Sequence, residues 1–321
     1  IEAGLPEDVF SIINGYGADL GPALIDLSDY IAFTGSTRTG RIIGKMAGEQ
    51  LKKCSLELGG KNPLIALEDV SATKLAEGIV TACFANTGQL CVSIEQIYLP
   101  ESRFDELKAA IVEEVKSMKT GAALDYSTQM GSLVSKEHTA KVMEHLLDAE
   151  QKGATILCGG SEHCKAEACY IAPTLLTDVN SSMQLYKEET FGPVVAIYSY
   201  KDIDQLIPKL NASNYGLNAS VWGKNTQKAG KVADQLRFGT VNINEGYAAG
   251  YGSVDATMGG FRESGVGRRH AEEGFYKYTE AINIAEQRLL PVGPSKQLNG
   301  KAYENLMTKA IRAMRYLPGI R

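Results

Sequence analysis

Residues 55–67 read Ser55-Leu56-Glu57-Leu58-Gly59-Gly60-Lys61-Asn62-Pro63-Leu64-Ile65-Ala66-Leu67, two short apolar runs divided by a glycine-rich turn. Short apolar runs bounded by Gly and Pro are typical of buried strands. A helical pattern follows over residues 72–86, with Ser71 placed to cap its first turn. Strands that alternate with helices at this spacing predict parallel βαβ units, and therefore an α/β fold with a parallel sheet.

The same alternation extends in both directions along the chain. Upstream, the apolar runs 9–14 and 30–33 predict strands, and residues 38–52 predict an amphipathic helix. Downstream, further strands are predicted at residues 96–99, 155–158, 194–200, 219–222 and 240–243, and further helices at 103–118, 136–152, 203–212, 226–236 and 302–316. We expect two α/β layers that share a seam.

Length and composition bound the class of protein. A chain of 321 residues predicts roughly two domains. Its 44% hydrophobic and 22% charged residues are typical of a soluble globular protein. Its 33 glycines, above the usual share of ~7%, indicate many tight turns. The formal net charge of −5 argues against a nucleic-acid partner, and no apolar window is long enough to cross a membrane.

The cysteines indicate a reducing compartment. Six cysteines are spread through the chain without a CxxC pair, so we expect free thiols in a cytoplasmic protein. One cluster contains Cys158, Cys164, Cys169 and His163, but its spacing matches no common zinc pattern. We therefore expect a surface loop there and no metal site.

Two segments near the start combine strand ends with chemically useful groups. Gly35-Ser36-Thr37-Arg38-Thr39-Gly40 leads from a strand into a helix, where free backbone amides can bind a phosphate. The alternative is a turn that only caps the helix. In Leu56-Glu57-Leu58, the leucines are expected to raise the pKa of the Glu57 carboxyl towards the range of a general base. The alternative is an edge-strand glutamate that faces water.

Two later segments carry a thiol and a shaped acidic loop. Asn86-Thr87-Gly88-Gln89-Leu90-Cys91 places Cys91 at the end of a polar loop, either as a nucleophile or as a small buried side chain. Glu188-Glu189-Thr190-Phe191-Gly192-Pro193 enters a strand. A carboxylate there can bind ribose hydroxyls and an aromatic ring can pack on a flat ligand; the alternative is a solvated acidic pair.

Taken together, these segments resemble the aldehyde dehydrogenase superfamily. The matching segments are Phe33-Thr34-Gly35-Ser36-Thr37, Leu56-Glu57-Leu58-Gly59-Gly60-Lys61, Gly88-Gln89-Leu90-Cys91 and Glu189-Thr190-Phe191-Gly192-Pro193-Val194. The likeness extends over about residues 1–280. Three later segments and a tail with Leu317-Pro318-Gly319 are similar to a narrower group, the actinobacterial NADP-dependent succinate-semialdehyde dehydrogenases: Asn242-Ile243-Asn244-Glu245-Gly246-Tyr247, Met258-Gly259-Gly260-Phe261-Arg262-Glu263-Ser264-Gly265-Val266-Gly267-Arg268-Arg269 and Lys277-Tyr278-Thr279-Glu280.

The resemblance implies catalytic roles for three residues. Cys91 would attack the aldehyde carbon, which gives a thiohemiacetal and then a thioester. Glu57 would activate the water that hydrolyses this thioester to a free acid. Glu280 would act as a proton relay that assists Glu57, and the alternative is an ordinary surface glutamate.

The resemblance also implies a nicotinamide cofactor, NADP or NAD. Gly35 and Ser36 would meet its pyrophosphate, Glu189 would bind its ribose, and Phe191 would pack near its nicotinamide. The fold implied is a partial Rossmann-type cofactor domain with a complete catalytic domain. The division is residues 1–58 for the C-terminal half of the nucleotide-binding domain, 59–274 for the catalytic domain and 275–321 for an oligomerisation strand and terminal helix.

Some positions depart from the family pattern. Ala85 stands where many succinate-semialdehyde enzymes have an Arg that holds the distal carboxylate. Arg262, Arg268 and Arg269 are other cations without an assigned place. The segment that would supply an oxyanion Asn lies upstream of the residues matched, so the chain corresponds to the C-terminal two-thirds of the family.

The sequence therefore predicts NAD(P)-dependent oxidation of a small aldehyde, with succinic semialdehyde as the substrate expected first. A homodimer or homotetramer is expected, without nucleic-acid or membrane partners. Three alternatives stay open: an inactive truncated fragment or pseudoenzyme, an enzyme for another aliphatic aldehyde, and a cysteine thioesterase that needs no nucleotide.

Overall fold

The computed structural model describes residues 4–123, 126–287, 293–294 and 298–316. These fall into two compact units, Ile1–Tyr278 and Thr279–Arg321. In chain order the elements are α1 (Gly17–Leu27), β1 (Tyr30–Thr34), α2 (Thr37–Glu49), β2 (Lys53–Glu57), β3 (Asn62–Ala66), α3 (Ala72–Phe84), β4 (Ile94–Pro100), α4 (Phe104–Ser117), α5 (Lys136–Gln151), β5 (Thr155–Cys158), β6 (Cys164–Lys165), β7 (Tyr170–Ile171), β8 (Thr174–Thr177), α6 (Gln184–Lys187), β9 (Val194–Tyr200), α7 (Ile203–Asn211), β10 (Asn218–Trp222), α8 (Thr226–Ala233), β11 (Thr240–Ile243), α9 (Ala248–Gly252), β12 (Gly265–Val266), α10 (Ala271–Tyr276) and α11 (Gly300–Met314).

The start of the chain differs from the prediction. The strand predicted at residues 9–14 is wrong, because this segment has no regular secondary structure and Phe10 and Ile12 are exposed. A strand needs a hydrogen-bonded neighbour, and no described strand lies beside this segment. Helix α1 follows, and the sequence concealed it because Gly17, Gly21 and Pro22 interrupt the helical pattern.

A small sheet has the strand order β1-β2-β12. Strands β1 and β2 are parallel, with Phe33 opposite Leu56, and α2 connects them as predicted. The two-residue strand β12 pairs antiparallel with the end of β2, where Gly265 lies opposite Glu57. A Cβ at Gly265 would lie 2.0 Å from the Leu56 carbonyl oxygen, so only glycine fits this approach.

The larger sheet has the strand order β11-β10-β3-β4-β9-β8-β5. Its pairs are parallel except for β5, which runs antiparallel to β8 at one edge. The predicted α/β fold with a parallel sheet is confirmed. Strand β8 and the short hairpin β6–β7 were not predicted; β6 and β7 have two residues each, too few to show a periodicity.

The core lies on both faces of the larger sheet. Leu64 of β3 packs with α3 and α4 on one face, and Ile65, the next residue, packs with α7 and α8 on the other. This alternation follows from the pleat, which sends successive side chains to opposite faces. A sheet covered on both faces is rigid, and the residues at the strand ends are held accordingly.

Helix α11 lies in the second unit, and confirms the helix predicted near the end of the chain. Asn299 caps it by accepting a hydrogen bond from the Ala302 amide at 3.0 Å. The predicted Leu317-Pro318-Gly319 element lies outside the described residues.

Candidate active site

The residues predicted for the site gather where the two sheets meet. Gly35 follows β1 and Glu57 ends β2, so both lie at the carboxyl end of the small parallel pair. Cys91 precedes β4 and Glu189 precedes β9, so both lie at the amino end of the larger sheet. Residues 58–61 join β2 to β3, and this short connection brings the two ends together.

A left-handed turn precedes Cys91. Between α3 and Cys91, Asn86 and Thr87 have φ angles of 51° and 61°, which are uncommon for residues other than glycine. Gly88 has φ 70°, and a Cβ there would lie 2.3 Å from the carbonyl oxygen of Gly192. The Cys91 loop is therefore packed backbone against backbone on the loop that precedes β9.

Asn62, the first residue of β3, holds the Cys91 loop through side-chain hydrogen bonds. Its Nδ2 donates hydrogen bonds of 2.8 Å to the carbonyl oxygens of Cys91 and Ser93. Its Oδ1 accepts a hydrogen bond of 3.1 Å from the Asn218 amide on β10. Asn62 was not among the residues predicted for the site; its one signal in the sequence was an amide side chain at the entrance to an otherwise apolar strand.

Glu57 is buried at the end of β2, with 5% of its surface exposed. Its Oε1 accepts no hydrogen bond from the described residues. Burial raises the pKa of the Glu57 carboxyl, and the positive charges of Arg269, Lys277 and Arg268 oppose that rise. The apolar flanks predicted such a shift; the three cations, more than 200 positions along the chain, could not be foreseen.

Cys91 is half-buried, and its thiol is electrostatically coupled to both carboxylates of the site. Burial, with the negative charges of Glu189 and Glu57, raises the pKa of the Cys91 thiol to about 11. Arg269 and a backbone hydrogen bond lower it. Thiol and carboxylates thus share one site, although they lie far apart in the sequence.

Glu189 is held by the glycine turn that follows Glu57. The Gly60 amide donates a hydrogen bond of 2.9 Å to Glu189 Oε1. A Cβ at Gly59 would lie 2.2 Å from Glu189 Oε2, so glycine is required beside the carboxylate. Burial and the charge of Glu95 raise the pKa of Glu189 to about 7, although the hydrogen bond from the Gly60 amide lowers it.

Phe191 follows Glu189 in the same loop, with a left-handed φ of 54°. Its amide donates to the Glu95 carboxylate at 2.9 Å, and its carbonyl oxygen lies 2.6 Å from His138 Nε2. Glu95 forms a buried ion pair with Lys61. The sequence analysis passed over both charged residues, because a buried ion pair between distant residues leaves no local pattern.

Gly35 and Ser36 form the entry to α2. The Gly35 amide donates to the carbonyl oxygen of Glu57 at 3.1 Å. Ser36 Oγ accepts from the Thr39 amide at 3.2 Å and so caps α2. The remaining amides of the first turn are of the kind that bind anions.

The structure distinguishes the three arginines that had no assigned place. Arg262 donates to the carbonyl oxygens of Asn211, Tyr215 and Arg237. Arg268 donates to Gly260 and Gly267 carbonyl oxygens at 3.3 and 2.8 Å. The Arg269 side chain makes neither a hydrogen bond nor an ion pair within the described part of the chain. Its charge acts on both Glu57 and Cys91.

Glu280, predicted as a proton relay, belongs to the second compact unit, whereas Cys91 and Glu57 belong to the first. Its role stays a prediction.

Across the described residues, no helix has the length and apolar character needed to cross a membrane.

A family model described as the aldehyde dehydrogenase family matches residues 1–284. A curated relative from Mycolicibacterium smegmatis, named putative succinate-semialdehyde dehydrogenase [NADP(+)], is 43% identical over 99% of this chain and 62% of its own length. The chain thus spans about 62% of that relative.

Two solved structures are similar to the chain. The NAD+ complex of an aldehyde dehydrogenase from Bacillus cereus has a TM-score of 0.82 and 34% identity, over 87% of this chain and 56% of that one. The Mycobacterium tuberculosis aldehyde dehydrogenase complexed with NAD+ has a TM-score of 0.79 and 38% identity, over 85% and 56%. The α/β architecture predicted from the resemblance is therefore confirmed.

Proposed function

The chain belongs to the aldehyde dehydrogenase family, and we propose that the protein oxidises an aldehyde to a carboxylic acid with a nicotinamide nucleotide as the hydride acceptor. One observation carries this proposal: the segment that follows Glu57 holds both other groups, since Asn62 donates to the Cys91 carbonyl oxygen at 2.8 Å and the Gly60 amide donates to Glu189 Oε1 at 2.9 Å. A nucleophile, a base and an acid able to bind ribose are the three groups that the reaction requires.

The residues present fit a nicotinamide nucleotide. The Gly35 amide is bonded to the Glu57 carbonyl oxygen, and the first turn of α2, which begins after Ser36, supplies the amides that would meet the pyrophosphate. Glu189 is fixed by the Gly60 amide in a cradle that a side chain at Gly59 would fill. When bound, the nucleotide would accept the hydride that leaves the aldehyde carbon. The name of the 43% identical relative supports NADP as the preferred form.

Cys91 would supply the nucleophile. Its thiolate would attack the aldehyde carbon, and the resulting thiohemiacetal would become a thioester once the hydride has left. With a pKa of about 11, the thiol is largely protonated at neutral pH. The positive charge of Arg269 favours the thiolate, and so favours attack.

Glu57 would take a proton from the water that hydrolyses the thioester. Its Oε1 is buried and accepts no hydrogen bond from the described part of the chain, so it is suited to receive one from water. Its raised pKa makes it a better proton acceptor than an exposed glutamate. Hydrolysis would release the carboxylic acid and return the thiolate. We propose Glu280 as an accessory proton relay.

We propose succinic semialdehyde as the substrate. The relative's name supports it, and the chain has a cation to read the distal carboxylate although Ala85 removes the expected one. Of the three candidate arginines, Arg269 has a guanidinium left available by the described residues and a charge that reaches Cys91. An Arg with a free guanidinium matches a carboxylate in a bidentate manner.

The substrate proposal predicts a selective effect of Arg269→Gln. The ratio of kcat/KM for succinic semialdehyde to that for butanal should fall by at least about tenfold, because only the first aldehyde carries a carboxylate. The neutral aldehyde corrects for the effect of Arg269 on Cys91. An unchanged ratio would leave Arg269 without a part in substrate recognition.

We also propose that the protein acts in the cytoplasm as a homodimer or homotetramer, and that the three segments 1–58, 59–274 and 275–321 are its functional divisions. Light scattering of the purified chain tests the assembly.

Two measurements test the proposed function. Formation of NAD(P)H with succinic semialdehyde and with short aliphatic aldehydes is compared with that of Cys91→Ala. Calorimetric titration with NADP+ is run on the same samples. Activity that survives Cys91→Ala would exclude the mechanism, and absence of both turnover and nucleotide binding would favour an inactive family member.

A further inference from the structure

A buried ion pair connects three segments of the site. Lys61 and Glu95 each expose 3% of their surface, and Lys61 Nζ donates directly to Glu95 Oε2. Lys61 follows the glycine turn that holds Glu189. Glu95 stands on β4, four positions after Cys91. The pair therefore links the turn after Glu57, the Cys91 strand and, through the contacts below, the loop before β9.

The carboxylate of Glu95 is a backbone anchor as well as an ion-pair partner. The Thr190 amide donates to its two oxygens at 3.0 and 3.1 Å, and the Phe191 amide donates to Oε1 at 2.9 Å. The Thr190 hydroxyl lies 3.2 Å from His145 Nδ1 and 3.5 Å from Lys61 Nζ. Both amides of the loop after Glu189 are thus satisfied by one buried side chain.

Burying the Lys61–Glu95 ion pair costs free energy, so a gain in stability alone does not explain it. Removing two charges from water is costly, and an apolar pair of similar volume is often as stable as a buried ion pair. Phe191 is also held in a left-handed conformation, with φ 54°, that an isolated loop would avoid. Such features persist where the surroundings over-determine a geometry that function needs.

We infer that Lys61 and Glu95 are positioning residues, which fix the loop of Glu189 and Phe191 in the shape that receives the nucleotide. The inference rests on the proposed function for the identity of the ligand. The fixed shape of the loop is a property of the nucleotide-free chain. The shape of the loop and the affinity for the nucleotide can therefore be measured separately.

Two double variants separate the anchor from the charges. Lys61→Met/Glu95→Gln removes both charges and keeps an acceptor oxygen, whereas Lys61→Met/Glu95→Leu removes the acceptor as well. Neither leaves a lone buried charge, so both are expected to fold, and thermal unfolding checks this. Glu106→Gln, which breaks the exposed Arg103–Glu106 pair, controls for loss of a surface charge.

The first readout is hydrogen exchange at the amides of Thr190 and Phe191 without nucleotide. Exchange at both should accelerate by at least about tenfold in Lys61→Met/Glu95→Leu relative to Lys61→Met/Glu95→Gln, because only the Leu variant leaves the amides unbonded. Equal exchange in the two variants would overturn the inference.

The second readout is the Kd for NADP+. We expect the Gln variant to bind within about threefold of the parent and the Leu variant to bind at least about tenfold more weakly. Alkylation of Cys91 should be similar in both, since the two variants remove the same two charges. Equal affinity of the two variants would overturn the link to the nucleotide. If the parent chain binds no NADP+ while the exchange rates differ, the proposed function fails and the positioning role stands.

Discussion

The two ends of the larger sheet differ in how far their charged side chains are exposed to water. The carboxyl end opens into a cleft of about 980 Å³, where the lining side chains of Asp69, Lys74 and Lys224 are exposed. At the amino end, Glu57 and the Lys61–Glu95 pair are buried. The charged side chains that line the cleft are exposed to water, so they cost little free energy to maintain.

Left-handed backbone occurs at both ends of the larger sheet, since Asn244, which lines the cleft, has a φ angle of 56°. Asn86, Thr87 and Phe191 have positive φ angles, and all three lie at the amino end beside Cys91 and Glu189. Ligands of open α/β sheets usually bind at the carboxyl ends of the strands. In this chain the buried charges of Lys61 and Glu95 lie at the amino end, which faces the carboxyl end of β1 and β2. Burying a charge is costly, and this is our reason for placing the proposed site at the amino end.

The largest expected contrast is between the nucleophile and a cleft residue. Cys91→Ala should reduce kcat/KM by at least about 10⁴-fold, because the proposed mechanism forms the acyl intermediate on this thiol. Lys74→Ala, in the cleft at the opposite end, should stay within about twofold of the parent, as surface changes usually do. NAD(P)H formation measures both, and a large effect of Lys74→Ala would reverse the assignment of the two ends.

Glu57→Gln should reduce turnover by about 10²- to 10⁴-fold, the usual contribution of a general base. In the proposed mechanism Glu57 acts after the hydride has left, so a burst of about one NAD(P)H per site should remain. Glu77→Gln, which removes an exposed carboxylate from the cleft, is the matched control. Loss of the burst together with turnover would place Glu57 before the thioester.

Several strands and candidate residues could be predicted because their signals are local in the sequence. Strands β5, β9 and β11 match their predicted bounds, since short apolar runs between turn residues are local signals. The candidate residues Cys91, Glu57 and Glu189 were each marked by a neighbouring glycine turn. Their convergence needed the fold, because it depends on the connection at residues 58–61 and on the order of strands in the sheet.

Residues that act through distant partners could not be found locally. Lys61 and Glu95 are 34 positions apart, and each resembles an ordinary surface charge in the sequence. Arg269 lies close in the sequence to Arg262 and Arg268. Only the structure distinguishes it from them, because those two side chains donate to carbonyl oxygens. Long-range pairing of this kind is set by topology, which a single sequence does not record.

The buried amino end should also be sensitive to acid. Burial and the nearby charges of Lys61 and Lys141 lower the pKa of His145 to about 4, below its ordinary value near 6.5. Between these values the unfolded chain binds a proton that the folded chain does not, so stability falls as pH falls from about 6.5 to 4. The shift corresponds to roughly 2–3 kcal/mol at pH 4.5.

Urea unfolding at pH 7 and pH 4.5 measures this effect. The loss of unfolding free energy on acidification should be smaller by that amount in His145→Gln than in the parent. His163→Gln, a change at an exposed histidine, is the control and should leave the loss unchanged. A parent and a His145→Gln variant with equal acid sensitivity would show that His145 does not titrate below its ordinary range.

Reactivity of the thiol reports the electrostatics of the site directly. With a pKa of about 11, Cys91 should be alkylated by iodoacetamide at a rate that rises about tenfold per pH unit between pH 7 and 10. Glu189→Gln should accelerate alkylation at pH 8 by several-fold to about tenfold, because it removes a charge that raises this pKa. Arg269→Gln should slow it. Peptide mass spectrometry assigns the label, and Glu77→Gln should change nothing.

The smallest effect is expected at the cleft itself. Asp69 Oδ2 accepts a hydrogen bond of 2.8 Å from the Asn225 amide, which holds the turn before α8. Because Asp69 is exposed, water can replace it, and Asp69→Asn should cost no more than about 1 kcal/mol of unfolding free energy. Nucleotide affinity should not change, since the turn lies at the opposite end of the sheet from Glu189. Urea unfolding and NADP+ titration measure the two quantities, and a loss of affinity without a loss of stability would connect the cleft to the site at the amino end.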